Sequence, residues 1–193
     1  MSENLIAYCN RMQEIRGRIG LIASVLDGVV RTGSDSFDAE LMFVQFRKSL
    51  ELIAFASLIA NKRKYSEAHE NFASHWKAKG MLNAIAKLNP HFYPAPIEKP
   101  KVLESGVKHC DPITEGFLTK PEFEFLYDKS SEVLHARNPF STGEPVVRIR
   151  YGVADWVARI QRLLALHVTH LVDGTVWIIE IPNEGPVRGY AGK

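Results

Sequence analysis

Cysteine is scarce: only Cys9 and Cys110 occur among 193 residues, and they lie far apart. No disulfide framework of the secreted kind can be built from them, which points to a reducing, cytoplasmic compartment. Long apolar runs are missing too. The densest, residues 50–60, is broken by Glu51 and Ser57 and is too short to cross a bilayer, so no membrane association is expected. The opening residues Met1, Ser2, Glu3 and Asn4 lack the basic flank and apolar core of a signal peptide. No glycine-rich loop follows a strand pattern, and Gly-x-Ser-x-Gly is absent, which argues against ATP- or NAD-dependent chemistry. Metal-ligand types do not gather: His109 and Cys110 form an isolated pair, and His167 and His170 have no cysteine or carboxylate cluster beside them. Neither a metal nor a cofactor is expected. Nor does one sign of charge dominate, because the net charge is +2.

What remains is an ordinary globular composition, 46% hydrophobic and 24% charged, at a length that suits one domain over residues 1–193. Charge is uneven along it. Residues 61–110 carry nine Lys/Arg against four Asp/Glu, and residues 111–145 carry three against seven. Such a division serves nucleic-acid binding or self-association, or gives two solvated faces. Phe72, Trp76, Phe92 and Tyr93 lie in or beside the basic region, where aromatics either stack on bases or anchor a core.

Leu5, Tyr8, Met12, Ile15, Ile19, Ile22, Leu26 and Val29 recur at steps of three and four. This is a heptad seam on a helix over about residues 4–31, packing within a bundle or across a dimer. Gly17 and Gly20 in its middle allow a bend or a close backbone approach. Asp35 or Ser36 is expected to cap a second helix, residues 37–61, apolar almost all round and therefore central. Residues 65–88 read as one or two further helices with Gly80 as a break. Prolines make residues 91–100 a non-helical crossing, and residues 101–118 read as irregular with short extended pieces.

Thr119, Pro121 and Glu122 spell a capping box with proline in the first turn, starting another helix. A further helix is expected over residues 152–166. Asp173 and Gly174 between two β-branched runs then signal a hairpin over residues 167–182, followed by a polar tail over 183–193. The expected fold is mainly α: an up-and-down helical bundle over residues 4–166 with a small C-terminal β-hairpin.

Two stripes carry chemistry. Arg47 and Glu51 stand four apart on the central helix, and Tyr127, Ser131 and His135 stand at i, i+4 and i+8 on the helix that Thr119 opens. One reading makes the first a solvated ion pair and the second a set of structural hydrogen-bonders. The other sets the stripes against each other. His135 is then a general acid/base, Arg47 or Arg137 binds a phosphate, and Tyr127 or Ser131 orients it. Asn138 beside Arg137, and the basic run Lys62, Arg63 and Lys64 at the end of the central helix, are candidates for substrate contacts. Such groups suit metal-independent RNA cleavage, in which the 2′-hydroxyl is the nucleophile.

An Arg-x-x-x-Glu on a central apolar helix (Arg47, Glu51) with Tyr-x-x-x-Ser-x-x-x-His on a later one (Tyr127, Ser131, His135) resembles the HEPN-type helical bundles and their bacterial and phage relatives. The Arg-to-His spacing usual for their catalytic signature occurs here at Arg162 and His167, separated by residues of core character. The resemblance implies a helical core of four or five helices and a homodimer with its site at the dimer cleft. In active members it implies metal-independent endoribonuclease activity in toxin–antitoxin or phage-defence settings. RNA and a cognate antitoxin or other partner protein are the implied partners. The rival expectation is a non-catalytic interaction or regulatory protein that dimerises through the heptad seam of the first helix and in which the polar stripe is part of the scaffold.

Overall fold

The computed structural model describes residues 2–62, 78–102, 104, 106, 108–136, 140 and 148–192. Among these, five helices and a four-stranded antiparallel sheet form a mainly α fold with a C-terminal β part, as the sequence patterns require.

Helix α1 (Glu3–Leu26) starts at Ser2, whose side chain accepts from the Leu5 amide. Its seam faces inward, since Leu5, Tyr8, Met12, Ile15, Ile19 and Ile22 are all buried against the rest of the chain. The seam is therefore spent inside the fold and not across a dimer. It also stops early. Gly28 takes a left-handed backbone (φ 73°) just past the helix end, leaving Leu26 and Val29 exposed. The helix runs unbroken through Gly17 and Gly20, and an added Cβ at either would meet nothing within 4 Å.

Helix α2 (Asp35–Ala60) is capped by Ser34, one position before the expected residues, and without a side-chain cap bond. Asp38 closes the turn instead: it accepts from the amide and hydroxyl of Thr32 and pairs with Arg31. These contacts hold its carboxyl below the usual range, with the Thr32 amide contributing most. Phe46, Leu50, Ile53 and Ala54 of α2 are fully enclosed. The all-round apolar pattern makes α2 the central helix, touched by α1, by α3 (Ala78–Leu88) and by α4 (Lys120–Leu134). Gly80 lies inside α3 and does not break it, while most of the rest of the 65–88 expectation falls outside the described residues.

Residues 91–100 are non-helical but not merely a crossing. Strand β1 (Ala95–Pro96) pairs with β4 (Leu166–His170) at the sheet edge, where a proline without an N–H is tolerated. Strands β2 (Lys101–Val102) and β3 (Lys108–His109) form a separate two-stranded ribbon. The capping box at Thr119 is present in both directions. Glu122 lies beneath Tyr151 and Arg159, which both bond its other oxygen. Helix α5 (Val153–Leu164) buries Trp156, Val157, Ile160, Leu163 and Leu164, the spacing of one helical face.

β4 and β5 (Val176–Glu180) form the expected hairpin, with Gly174 at φ 82° in its turn. The expected polar tail is instead a third antiparallel strand, β6 (Arg188–Gly192), giving the order β1-β4-β5-β6. Its sequence has no apolar alternation because its inner position is Gly189, against which α1 packs directly. A Cβ there would lie 2.7 Å from Cys9 Sγ and 2.9 Å from Leu5 Cδ1.

A buried polar bridge joins α1 to the sheet. His167 Nδ1 is 3.0 Å from the Leu164 carbonyl, so it carries the proton and donates. Its Nε2 then accepts from the Tyr8 hydroxyl at 2.9 Å, and Thr169 donates to the Tyr8 oxygen at 3.0 Å. Burial drives the imidazole pKa down to about 4 and pushes the Tyr8 phenol up, so both are neutral.

Two outcomes follow from this packing. Gly189→Ala should cost roughly 1–3 kcal/mol through overpacking, read as a lowered thermal midpoint. Below its unfolded pKa of about 6.5, His167 takes a proton in the unfolded chain but not in the native one. Stability present above pH 6.5 should therefore fall by ~3 kcal/mol as the pH drops towards 4. Urea titrations at successive pH values would show this slope, and His167→Gln should remove it between pH 6.5 and 5.

Candidate functional site on the face between α2 and α4

The two polar stripes do meet. Arg47 and Glu51, one turn apart on α2, form an ion pair with Arg47 Nε 2.9 Å from Glu51 Oε1. From α4, Tyr127 accepts from Arg47 Nη2 at 2.6 Å and Ser131 accepts from Nη1. The guanidinium carbon also lies 3.7 Å over the Tyr127 ring, a cation–π contact. Ser131 in turn donates to the Tyr127 carbonyl, and Tyr127 stacks on Phe123. Each contact follows from helix geometry: a four-residue step on each helix puts both partners on the facing side, so one long arginine reaches all of them.

The cluster is neither in the core nor free in solvent. The Arg47 and Glu51 side chains retain 26% and 20% exposure, and Tyr127 is buried. Arginine has five N–H groups, and these bonds use three. One N–H on each Nη has no acceptor among the described residues, which is the fork that fits two oxygens of a phosphate or carboxylate. The Tyr127 hydroxyl accepts from Arg47, and its own proton has no described acceptor.

His135 is placed differently. It is the C-cap of α4, with extended backbone (φ −81°, ψ 133°) and its amide donating to the Ser131 carbonyl at 3.1 Å. The side chain is exposed about one turn, or ~6 Å, beyond Ser131, and makes no hydrogen bond among the described residues. It thus stands at the rim of the cluster, not within its network. Lys62 is exposed near the C-terminal end of α2, roughly 20 Å from Arg47 along the axis, and does not join the site. Arg63, Lys64, Arg137 and Asn138 lie outside the described residues, as do Phe72 and Trp76. Phe92 is a core residue, and Tyr93 donates to the Leu118 carbonyl, so neither is a stacking platform.

Arg162 and His167 do not form a site together. Arg162 bonds the Glu115 carbonyl at the surface, while His167 is enclosed with Tyr8. Lys48, on the Arg47–Glu51 stripe, leads to an extension towards α1 on the other flank of α2, whose residues Arg11, Glu14, Arg18 and Gln45 the stripe did not single out. Lys48 stands 3.5 Å from Glu51 Oε2. Arg18 of α1 bridges Glu14 and the buried Gln45, and Arg11 also pairs with Glu14. Its signal was the Arg11, Glu14 and Arg18 spacing beside the α1 seam, which is equally the pattern of a solvated helix face.

Replacing Arg47 by alanine removes the clasp between α2 and α4 and should cost about 1–3 kcal/mol by urea denaturation. Arg47→Lys should recover little of this, because a point charge cannot bond Glu51, Tyr127 and Ser131 together.

Comparison with known protein families, with curated proteins and with solved structures finds no match to this chain.

Proposed function

We propose that the face between α2 and α4 binds an RNA phosphate and cleaves beside it without a metal. The observation that carries this reading is the Arg47 guanidinium, held rigidly by Glu51, Tyr127 and Ser131 yet with two N–H groups left unpartnered among the described residues. A preorganised fork of this kind binds phosphoryl oxygens and stabilises charge that grows on them. Exposed His135, one turn beyond Ser131, is the general base that takes the 2′-hydroxyl proton. The 2′-oxygen attacks phosphorus, the bond to the 5′-oxygen breaks, and that oxygen is protonated by water. The products end in a 2′,3′-cyclic phosphate and a 5′-hydroxyl. Tyr127 and Ser131 orient Arg47, and Glu51 fixes its rotamer. The resemblance to HEPN-type bundles points the same way and adds a homodimer and a toxin or phage-defence setting.

A second reading has its own observation. Leu26, Val29 and Phe37 are 45%, 79% and 58% exposed around the turn between α1 and α2. Large apolar side chains gathered at one end suit docking to another chain. Under this reading the protein is a non-catalytic interaction or regulatory subunit, and Arg47 serves as a clasp only.

Labelled total RNA incubated in EDTA separates the two. Cleavage by the wild type, lost in His135→Ala at an unchanged melting temperature and lost in Arg47→Ala, supports the nuclease. Intact RNA in every case, with only Arg47→Ala melting early, removes it and leaves the clasp.

A further inference from the structure

Beside the Arg47 network, α1 and α2 border a groove of about 430 Å³, within the range of pockets that take a small organic ligand. Its floor is apolar, formed by Leu52, Phe55, Leu58 and Ile59. Its rim is charged, with Arg11, Arg18 and Lys48 against Glu14 and Glu51, a surplus of one cation. Arg11 and Lys48 are 46% and 55% exposed, so their heads reach solvent. Glu51 belongs both to this groove and to the ion pair with Arg47, so the groove adjoins the Arg47 network across α2.

An aromatic on an apolar floor beneath a cationic rim is what an unpaired nucleotide needs: the base stacks and the phosphate meets positive charge. A duplex cannot use such a groove, because its bases are already paired and stacked on one another. We infer that the groove holds one base of a single-stranded RNA, stacked on Phe55, with the adjoining phosphate at Lys48 and Arg11 and the neighbouring phosphate at Arg47. The inference rests on the reading of this face as an RNA site and names the form of RNA it takes. Lys48 has a double part, since it also neutralises Glu51 where a phosphate would otherwise be repelled.

The test is fluorescence anisotropy with a short labelled single-stranded RNA carrying 2′-O-methyl groups, which binds but lacks the nucleophile for cleavage. Phe55→Leu keeps an apolar side chain but removes the ring and, with the fold checked by a thermal melt, should weaken binding roughly five- to tenfold. Lys48→Gln should lower the slope of log affinity against log salt by about 0.7. Lys101→Gln, which removes the same charge from the separate ribbon, should bind as the wild type does. No binding, or binding indifferent to both Phe55 and Lys48, overturns the inference. Binding with these dependences while unmodified RNA stays intact keeps the groove and removes the cleavage step. Cleavage of unmodified RNA at a rate that ignores Phe55 and Lys48 removes the groove and keeps the cleavage.

Discussion

A helix that is apolar on nearly every side has to be enclosed, and enclosing α2 organises the rest of the chain. Phe46, Leu50, Ile53 and Ala54 have no solvent exposure, and α1, α3 and α4 supply the walls. Burying each large side chain is worth about 1.5–3 kcal/mol, so no arrangement that leaves this helix open competes. The same enclosure bears on the polar residues that α2 carries. Gln45, Arg47 and Glu51 are only partly open to water and need partners, which Glu51 finds in Arg47 and Lys48 of α2 itself. Gln45 finds Arg18 of α1, and Arg47 finds Tyr127 and Ser131 of α4. The candidate site is thus a product of the packing: charge on a central helix is brought to the seam between two neighbours and held there.

The sheet is fastened to this helical layer by polar and steric contacts more specific than apolar burial. Tyr8, His167 and Thr169 bridge α1 and β4 through hydrogen bonds whose donors and acceptors are all matched once His167 is neutral. At the other side, Gly189 lets β6 approach Leu5 and Cys9 at a distance that no side chain would permit. These two contacts fix how the C-terminal strands lie across α1. They also explain why a histidine at a spacing suggestive of catalysis serves the scaffold: it is sealed from solvent and its ring nitrogens are both committed.

Two clusters in this molecule use the same chemistry for different ends. Arg159 lies 4.0 Å over the Tyr151 ring and pairs with Glu122, just as Arg47 lies over Tyr127 and pairs with Glu51. Glu122 is nearly buried, and its oxygens are taken up by Thr119, Tyr151 and Arg159, so that cluster only anchors the start of α4. Arg47 and Glu51 are a quarter to a fifth exposed and adjoin a groove. The two arginines are similarly exposed, at 23% and 26%, so what sets the clusters apart is the more open carboxylate of Glu51 and the groove beside it.

Local patterns decided much of this protein without any tertiary information. The Thr119–Glu122 capping box, the α1 seam, the apolar stripe of α5 and the Asp173–Gly174 turn are all short-range features, and each depends on neighbours within a few residues. The sequence also placed Arg47 with Glu51, and Tyr127 with Ser131, because a four-residue step on a helix is local geometry. Only the tertiary structure set the two stripes face to face, left His135 at the rim and turned His167 inward. It also recruited residues 188–192 as a strand and made the proline crossing an edge strand. The physical reason is common to all of these. Strand pairing through backbone groups leaves little trace in side-chain pattern. Which face of a helix meets which neighbour depends on how the whole chain buries α2, a sum over contacts that no local window contains.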